Sequence, residues 1–189
     1  MTYNIPNILT WLRIVLIPMF VALYYVPTDW MRVQEVNFWA TALFAVAAVT
    51  DWLDGYLARA LTQTSAFGAF LDPVADKLMV AAALIVLVEL GRVGAPIALI
   101  IIGREIAISA LREWMAKIGQ SKSVAVSMIG KIKTTAQMVA ILMLLYEAPL
   151  LGMPIAQIGL YLMYVAAFLT LWSMVYYMRA AAEVIRQNK

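Results

Sequence analysis

The sequence predicts an all-α membrane protein: one bundle of six transmembrane helices, residues 1–189 as a single domain, both termini cytoplasmic. Three observations carry that expectation. Hydrophobic residues make up 65% of the 189 positions and charged residues only 13%, whereas soluble domains are roughly one-quarter charged. Six apolar stretches approach the length of about 20 residues that a helix needs to cross the hydrocarbon core. The breaks between them are short and rich in turn formers, which makes neighbouring helices antiparallel.

The first stretch, Ile8–Val26, closes at Pro27-Thr28-Asp29. It has neither a basic leading region nor a small-residue cleavage site behind it, so it is expected to stay as a helix rather than be removed as a signal peptide. The second, Phe38–Leu57, is followed by a break containing Gly68 and ending at Asp72-Pro73, where the third stretch, Pro73–Leu90, begins. Gly91 to Gly94 separate it from the fourth, Ala95–Leu111. From Arg112 to Lys133 the chain is polar enough for an interfacial helical segment, broken at Gly119-Gln120-Ser121 and running into the fifth stretch, Val124–Tyr146. Pro149 to Pro154 make the last turn before Ile155–Tyr177, which carries no charge along its length.

An even number of spans puts both termini on one side. Of the 14 basic residues, all but Arg32 and Arg92 fall on that side, and positive charge marks the cytoplasmic face. Tyr24, Tyr25, Trp30, Trp114, Trp172 and Tyr176 sit near helix ends and read as an interfacial aromatic belt. The basic residues are scattered and the net charge is only +3, so nucleic acid is not expected as a partner. With no Cys and no His, thiolate chemistry, disulfides and imidazole bases are excluded, leaving carboxylates, hydroxyls, Lys and Arg.

Carboxylates inside spans are costly, about 3 kcal/mol each on insertion scales, so a group of them needs a reason. Asp51 and Asp54 stand i, i+3 near the end of the second stretch, and Asp72 and Asp76 stand i, i+4 at the start of the third. Each pair therefore shares a helix face. The second helix descends where the third climbs, so the four acids are expected to converge at the cytoplasmic edge. Two hard divalent cations, Mg²⁺ or Mn²⁺, would stabilise that charge and could clamp a phosphoryl group. Gly55 and Ala58 leave room beside the acids, and Arg59 offers a planar phosphate donor. The plainer alternative is that the acids pair with interfacial bases, of which only Arg59 and Lys77 lie close in sequence. A transporter's ion pathway would place its acids near the midplane instead, and a scaffold would not require them.

The pattern Asp51-x-x-Asp54-Gly55-x-x-Ala58-Arg59, then Gly68, Asp72 and Asp76 at their spacings, resembles the signature of the CDP-alcohol phosphotransferases at every fixed position. The segments NIPNILTWLRI, GREIAISALREWMA and SVAVSMIGKIKTTAQM are similar to bacterial members whose acceptor is glycerol 3-phosphate. The resemblance implies attack of sn-glycerol 3-phosphate on CDP-diacylglycerol in a bacterial inner membrane, among membrane lipids, by a homodimer with a cytoplasmic active site. It also implies roles. Asp51 and Asp72 would bridge two metals, Asp54 would hold one, and Asp76 would hold the other and act as base. Gly55, Ala58, Arg59, Ser65 and Gly68 would meet the CDP portion.

Asn7, Thr10 and Arg13 repeat at i, i+3, i+6. They are expected either to line the same cavity and touch the nucleotide or to serve as a cap and an interfacial anchor. Arg104, Arg112, Lys131 and Lys133 supply cations for the acceptor's phosphate, although topology alone also places bases there. Arg104 lies deepest in apolar sequence, with Glu105 as its candidate partner. The signature serves the shared donor, so inositol phosphate, serine or a phospholipid remain alternative acceptors.

Overall fold

The computed structural model describes residues 5–61, 66–119 and 128–187; the side chains of 5–7, 52, 54–61, 66–67, 69, 128–131, 180, 184–185 and 187 lie outside the description. The described residues form six helices: α1 (Ile5–Leu23), α2 (Val33–Leu61), α3 (Ala66–Glu89), α4 (Ala95–Lys117), α5 (Met128–Tyr146) and α6 (Ile155–Gln187). Each predicted stretch is a helix, and most run longer than their apolar part. Val124 and the polar stretch at 120–127 fall outside the described residues.

The largest correction lies between α2 and α3. Gly68, read as part of a break, and Asp72, read as a helix start, both lie inside α3, which continues through Pro73. A proline in a helix interior loses the bond to the carbonyl four residues earlier, here Ala69. In an apolar bundle, neighbours that re-satisfy the released group make this tolerable. Pro18 sits inside α1 in the same way.

The opposite turns follow local chemistry. Gly91 takes φ +69°, its N–H bonds to Val88 O at 3.0 Å, and the Arg92 N–H reaches Leu87 O at 2.9 Å, a Schellman closure of α3. Pro96 enters the first turn of α4 behind an extended Gly94, where a missing N–H costs nothing. The Arg92 side chain then donates to the carbonyls of Leu144 and Leu145, each at 3.0 Å, to Asn37 Oδ1 at 3.0 Å and to Glu147 Oε2 at 2.6 Å. This latch joins the α3–α4 turn to α2 and to the end of α5.

Packing is inside-out relative to a water-soluble protein. Phe20, Ala40, Phe44, Ala83, Leu84, Leu87, Ile101 and Ile141 form a buried core, but Arg13, Lys133, Thr10 and Thr170 are equally buried, while Phe70, Leu99, Phe168 and Trp172 are well exposed. Burying charge while displaying large apolar side chains is favourable only where the surroundings are themselves apolar. Among the described residues two of the six expected spans, Val33–Asp51 and Ile155–Glu183, are long and apolar enough to cross a membrane, and Ile8–Leu23 and Ile132–Tyr146 are shorter apolar helices. In α3 and α4 the apolar run is interrupted by Asp72, Asp76, Lys77, Arg104 and Glu105. Trp30, Trp114, Trp172, Tyr25 and Tyr176 are exposed as a belt requires. Tyr24 is not: its hydroxyl is buried and its ring packs edge-on to Phe20 at 5.8 Å, against the core cluster that Phe20 belongs to.

Candidate active site

Thr10 and Arg13 stand one helical turn apart on α1, and their shared face is buried, with Arg13 1% exposed. That face docks on the acids of α2 and α3. The Thr10 hydroxyl donates to Asp72 Oδ1. Arg13 Nη1 donates to Asp76 Oδ1 and lies 3.1 Å from Asp51 Oδ1. A buried guanidinium without partners would cost several kcal/mol, so the register of α1 is tied to these carboxylates. The acids themselves are accessible, Asp51 at 47% and Asp76 at 40% of the side chain.

Their exposed sides open on a cavity of about 550 Å³. Arg13, Asp51, Asp76 and Lys77 form its charged wall, Glu105 and Thr134 its facing polar wall, and Ala47, Pro73, Met138 and Leu142 part of a long apolar flank. Among the described side chains no three acids gather around one point; Asp54 lies outside that description. Asp51 and Asp76 each bring Oδ1 to the same guanidinium nitrogen, Nη1 of Arg13. Hard oxygen donors that converge on a positive charge fit a divalent ion such as Mg²⁺ or Mn²⁺.

Of the bases expected to receive an acceptor phosphate, Arg104, Arg112 and Lys133 are brought together around Glu105 and Tyr177. Lys133 Nζ lies 2.6 Å from Glu105 Oε1, and Arg104 Nη1 lies 3.2 Å from the same oxygen. Arg104 Nη2 donates to Ser173 Oγ at 3.1 Å. Tyr177 joins Arg112 to them: the Arg104 and Arg112 guanidinium carbons sit 5.8 and 5.3 Å from its ring centre, within cation–π range. Arg112 Nη2 is 3.5 Å from its hydroxyl. Of this cluster Glu105 lines the cavity, and Arg104 and Lys133 connect to it through that carboxylate. Arg104 therefore has the partner its depth demanded.

Gly68 is buried in the first turn of α3. The side chains of Asn7, Asp54, Ala58, Arg59 and Lys131, the surroundings of Gly55, and all of Ser65 lie outside the description. Sequence reasoning missed Ser173 and Tyr177, the α6 partners of the basic cluster. The available signal was Tyr177's position four residues after Ser173, on one helix face of an otherwise apolar span.

Residues 3–172 match the family profile described as CDP-alcohol phosphatidyltransferase. Curated proteins similar to this chain include those described as CDP-diacylglycerol--glycerol-3-phosphate 3-phosphatidyltransferase in Escherichia coli (strain K12) and in Shigella flexneri serotype 5b (strain 8401). Each is 52% identical over 191 residues, covering 99% of this chain and 100% of its own length.

Proposed function

Because the chain belongs to the CDP-alcohol phosphatidyltransferase family, we propose that it transfers the phosphatidyl group of CDP-diacylglycerol to sn-glycerol 3-phosphate, releasing CMP. The full-length identity to enzymes described by that reaction carries the assignment. The convergence of Asp51 and Asp76 beside an apolar-flanked cavity supports it. A two-tailed donor with a charged pyrophosphate requires both kinds of wall.

In the reaction the primary hydroxyl of glycerol 3-phosphate forms a bond to the phosphatidyl phosphorus, and the bond from that phosphorus to the CMP oxygen breaks. Asp51, Asp54, Asp72 and Asp76 would hold two divalent cations, which polarise the pyrophosphate and stabilise the leaving oxygen when bound. Asp76 takes the hydroxyl proton; without His in the chain, a carboxylate is the available base that needs no large shift to accept a proton near neutrality. Thr10 fixes Asp72, and Gly55, Ala58, Arg59, Ser65, Gly68 and Asn7 serve the CDP portion.

Glycerol 3-phosphate enters the cavity that Lys77 and Thr134 line, with Arg104, Arg112, Lys131 and Lys133 supplying the positive charge for its phosphate. Six spans, cytoplasmic termini, a bacterial cytoplasmic membrane and a homodimer complete the reading, supported by the even helix count and the one-sided basic residues. The test is CMP release by purified chain given CDP-diacylglycerol and a panel of acceptor alcohols, with Mg²⁺ or Mn²⁺ and after chelation. Turnover with glycerol 3-phosphate alone, lost on chelation and in Asp76→Asn, is expected. Equal turnover of inositol phosphate or serine would defeat the acceptor assignment.

A further inference from the structure

Gln137 stands on α5 in the wall of the cavity, beside Thr134 and Met138. It is 2% exposed, and its Oε1 is buried with no hydrogen-bond partner among the described residues. A buried amide oxygen without a partner bears its full desolvation cost, and such an atom in a native fold calls for an explanation. Packing supplies none, because an apolar side chain of similar volume would fill the same space at no such cost. A polar group of this kind in the wall of a largely apolar cavity fits the recognition of a ligand.

Position and chemistry narrow what that ligand group is. Thr134 and Gln137 share the cavity side of α5, and Met138 and Leu142 carry that side on into the apolar flank. Gln137 is thus the last polar residue of α5 before the flank begins. It follows Lys133 by one helical turn, about 5.4 Å of rise, and Lys133 reaches the cavity wall through Glu105. A phosphate drawn to the bases therefore leaves the carbon chain of a small acceptor near the level of Gln137. An amide oxygen requires a donor. The diacylglycerol esters have none, the nucleotide's donors go with Gly55, Arg59 and Ser65, and the primary hydroxyl of glycerol 3-phosphate is committed to Asp76. Its secondary hydroxyl remains. We infer that Gln137 accepts a hydrogen bond from the secondary hydroxyl of glycerol 3-phosphate, and so selects a phosphorylated vicinal diol over a simple alkanol phosphate. The inference rests on the reading of glycerol 3-phosphate as the acceptor. A site that pairs a buried amide with a substrate hydroxyl rejects the analogue lacking it, because the amide is then left unpaired.

The measurement is CMP release by the full chain in detergent with CDP-diacylglycerol and Mn²⁺. It compares sn-glycerol 3-phosphate with 3-hydroxypropyl phosphate, which keeps the phosphate and the primary hydroxyl but lacks the secondary one. The unmodified chain should favour glycerol 3-phosphate in kcat/KM by about ten- to hundredfold, the scale of one hydrogen bond to a buried amide. In Gln137→Met that preference should collapse towards unity, through loss on glycerol 3-phosphate and little change on the analogue. Gln137→Leu should give the same ratio, and neither variant should unfold at a lower temperature, since no bond to Oε1 within the protein is lost. Equal losses on both acceptors, or a lowered midpoint in both variants, overturn the inference. So does a loss that vanishes when the donor is the dialkyl ether analogue, because the amide would then be reading the donor's ester carbonyls. Release with both acceptors at a ratio indifferent to residue 137 defeats the inference alone. No release with glycerol 3-phosphate by the unmodified chain defeats the acceptor assignment and the inference with it.

Discussion

Lys133 and Glu105 meet at 2.6 Å between α5 and α4, with the lysine 1% exposed and the carboxylate 27% exposed to the cavity. Glu105 also accepts from Arg104, which α6 holds through Ser173. Three helices that carry the polar end of the bundle therefore share one carboxylate. Behind that wall the charges are arranged as a structural unit as well as a positive field.

Replacing Glu105 by Gln removes the charge that compensates buried Lys133. Breaking a buried pair costs about 3–5 kcal/mol, and the partial exposure of Glu105 brings the expectation down to about 2 kcal/mol. Thermal unfolding of Glu105→Gln in detergent should show a clearly lowered midpoint, and adding Lys133→Met to it should recover part of the loss, because the uncompensated ammonium is removed while the amide oxygen can still accept from Arg104. A double variant less stable than either single one would contradict this account of the pair.

Gly159 sets the approach of α6 to α5. A β-carbon there would stand 2.8 Å from Met143 Cβ, 3.2 Å from Leu144 Cγ and 3.3 Å from the Ala140 carbonyl. Small residues at such crossings let helix backbones come close in membranes, and overpacking costs typically about 1–3 kcal/mol. Gly159→Ala should lower the unfolding midpoint despite alanine's better helix propensity. Adding Met143→Ala should not restore it, since the β-carbon in contact is retained. A Gly159→Ala variant as stable as the unmodified chain would mean that the helices separate at no cost.

How much of this was legible beforehand depends on what kind of signal each feature left. Six helices were readable because span length and apolar composition are summed over many residues. The α3 start was not, because Gly68 and Pro73 are local breakers whose cost the surrounding bundle absorbs. The face-sharing of Asp72 with Asp76 followed from helical spacing, and so did that of Thr10 with Arg13. That those two faces meet, through Asp72 and Asp76, is a fact of helix packing that no spacing within one helix encodes. The same limit explains Tyr177. It closes an apolar span with no charge beside it in sequence, yet it is buried against Arg104 and Arg112, whereas its neighbour Tyr176 is 61% exposed.

The Thr10 hydroxyl on Asp72 offers the sharpest test of whether α1 belongs to the catalytic machinery or only covers it. Thr10 is fully buried and donates across helices to a carboxylate of the signature. A hydrogen bond to a charged group contributes about 1.5–3 kcal/mol, which corresponds to roughly ten- to hundredfold in rate where the bond holds a group needed in the transition state. Thr10→Val keeps shape and volume but loses the donor, so kcat for CMP release should fall within that range. KM for glycerol 3-phosphate should stay close to unchanged, because that substrate's phosphate is held elsewhere. Thr10→Ser keeps the hydroxyl and should retain most of the activity, which separates the hydrogen bond from simple packing. If the Val variant turns over at the unmodified rate, or the Ser variant is as impaired as Val, then Asp72 does not depend on α1 for its orientation.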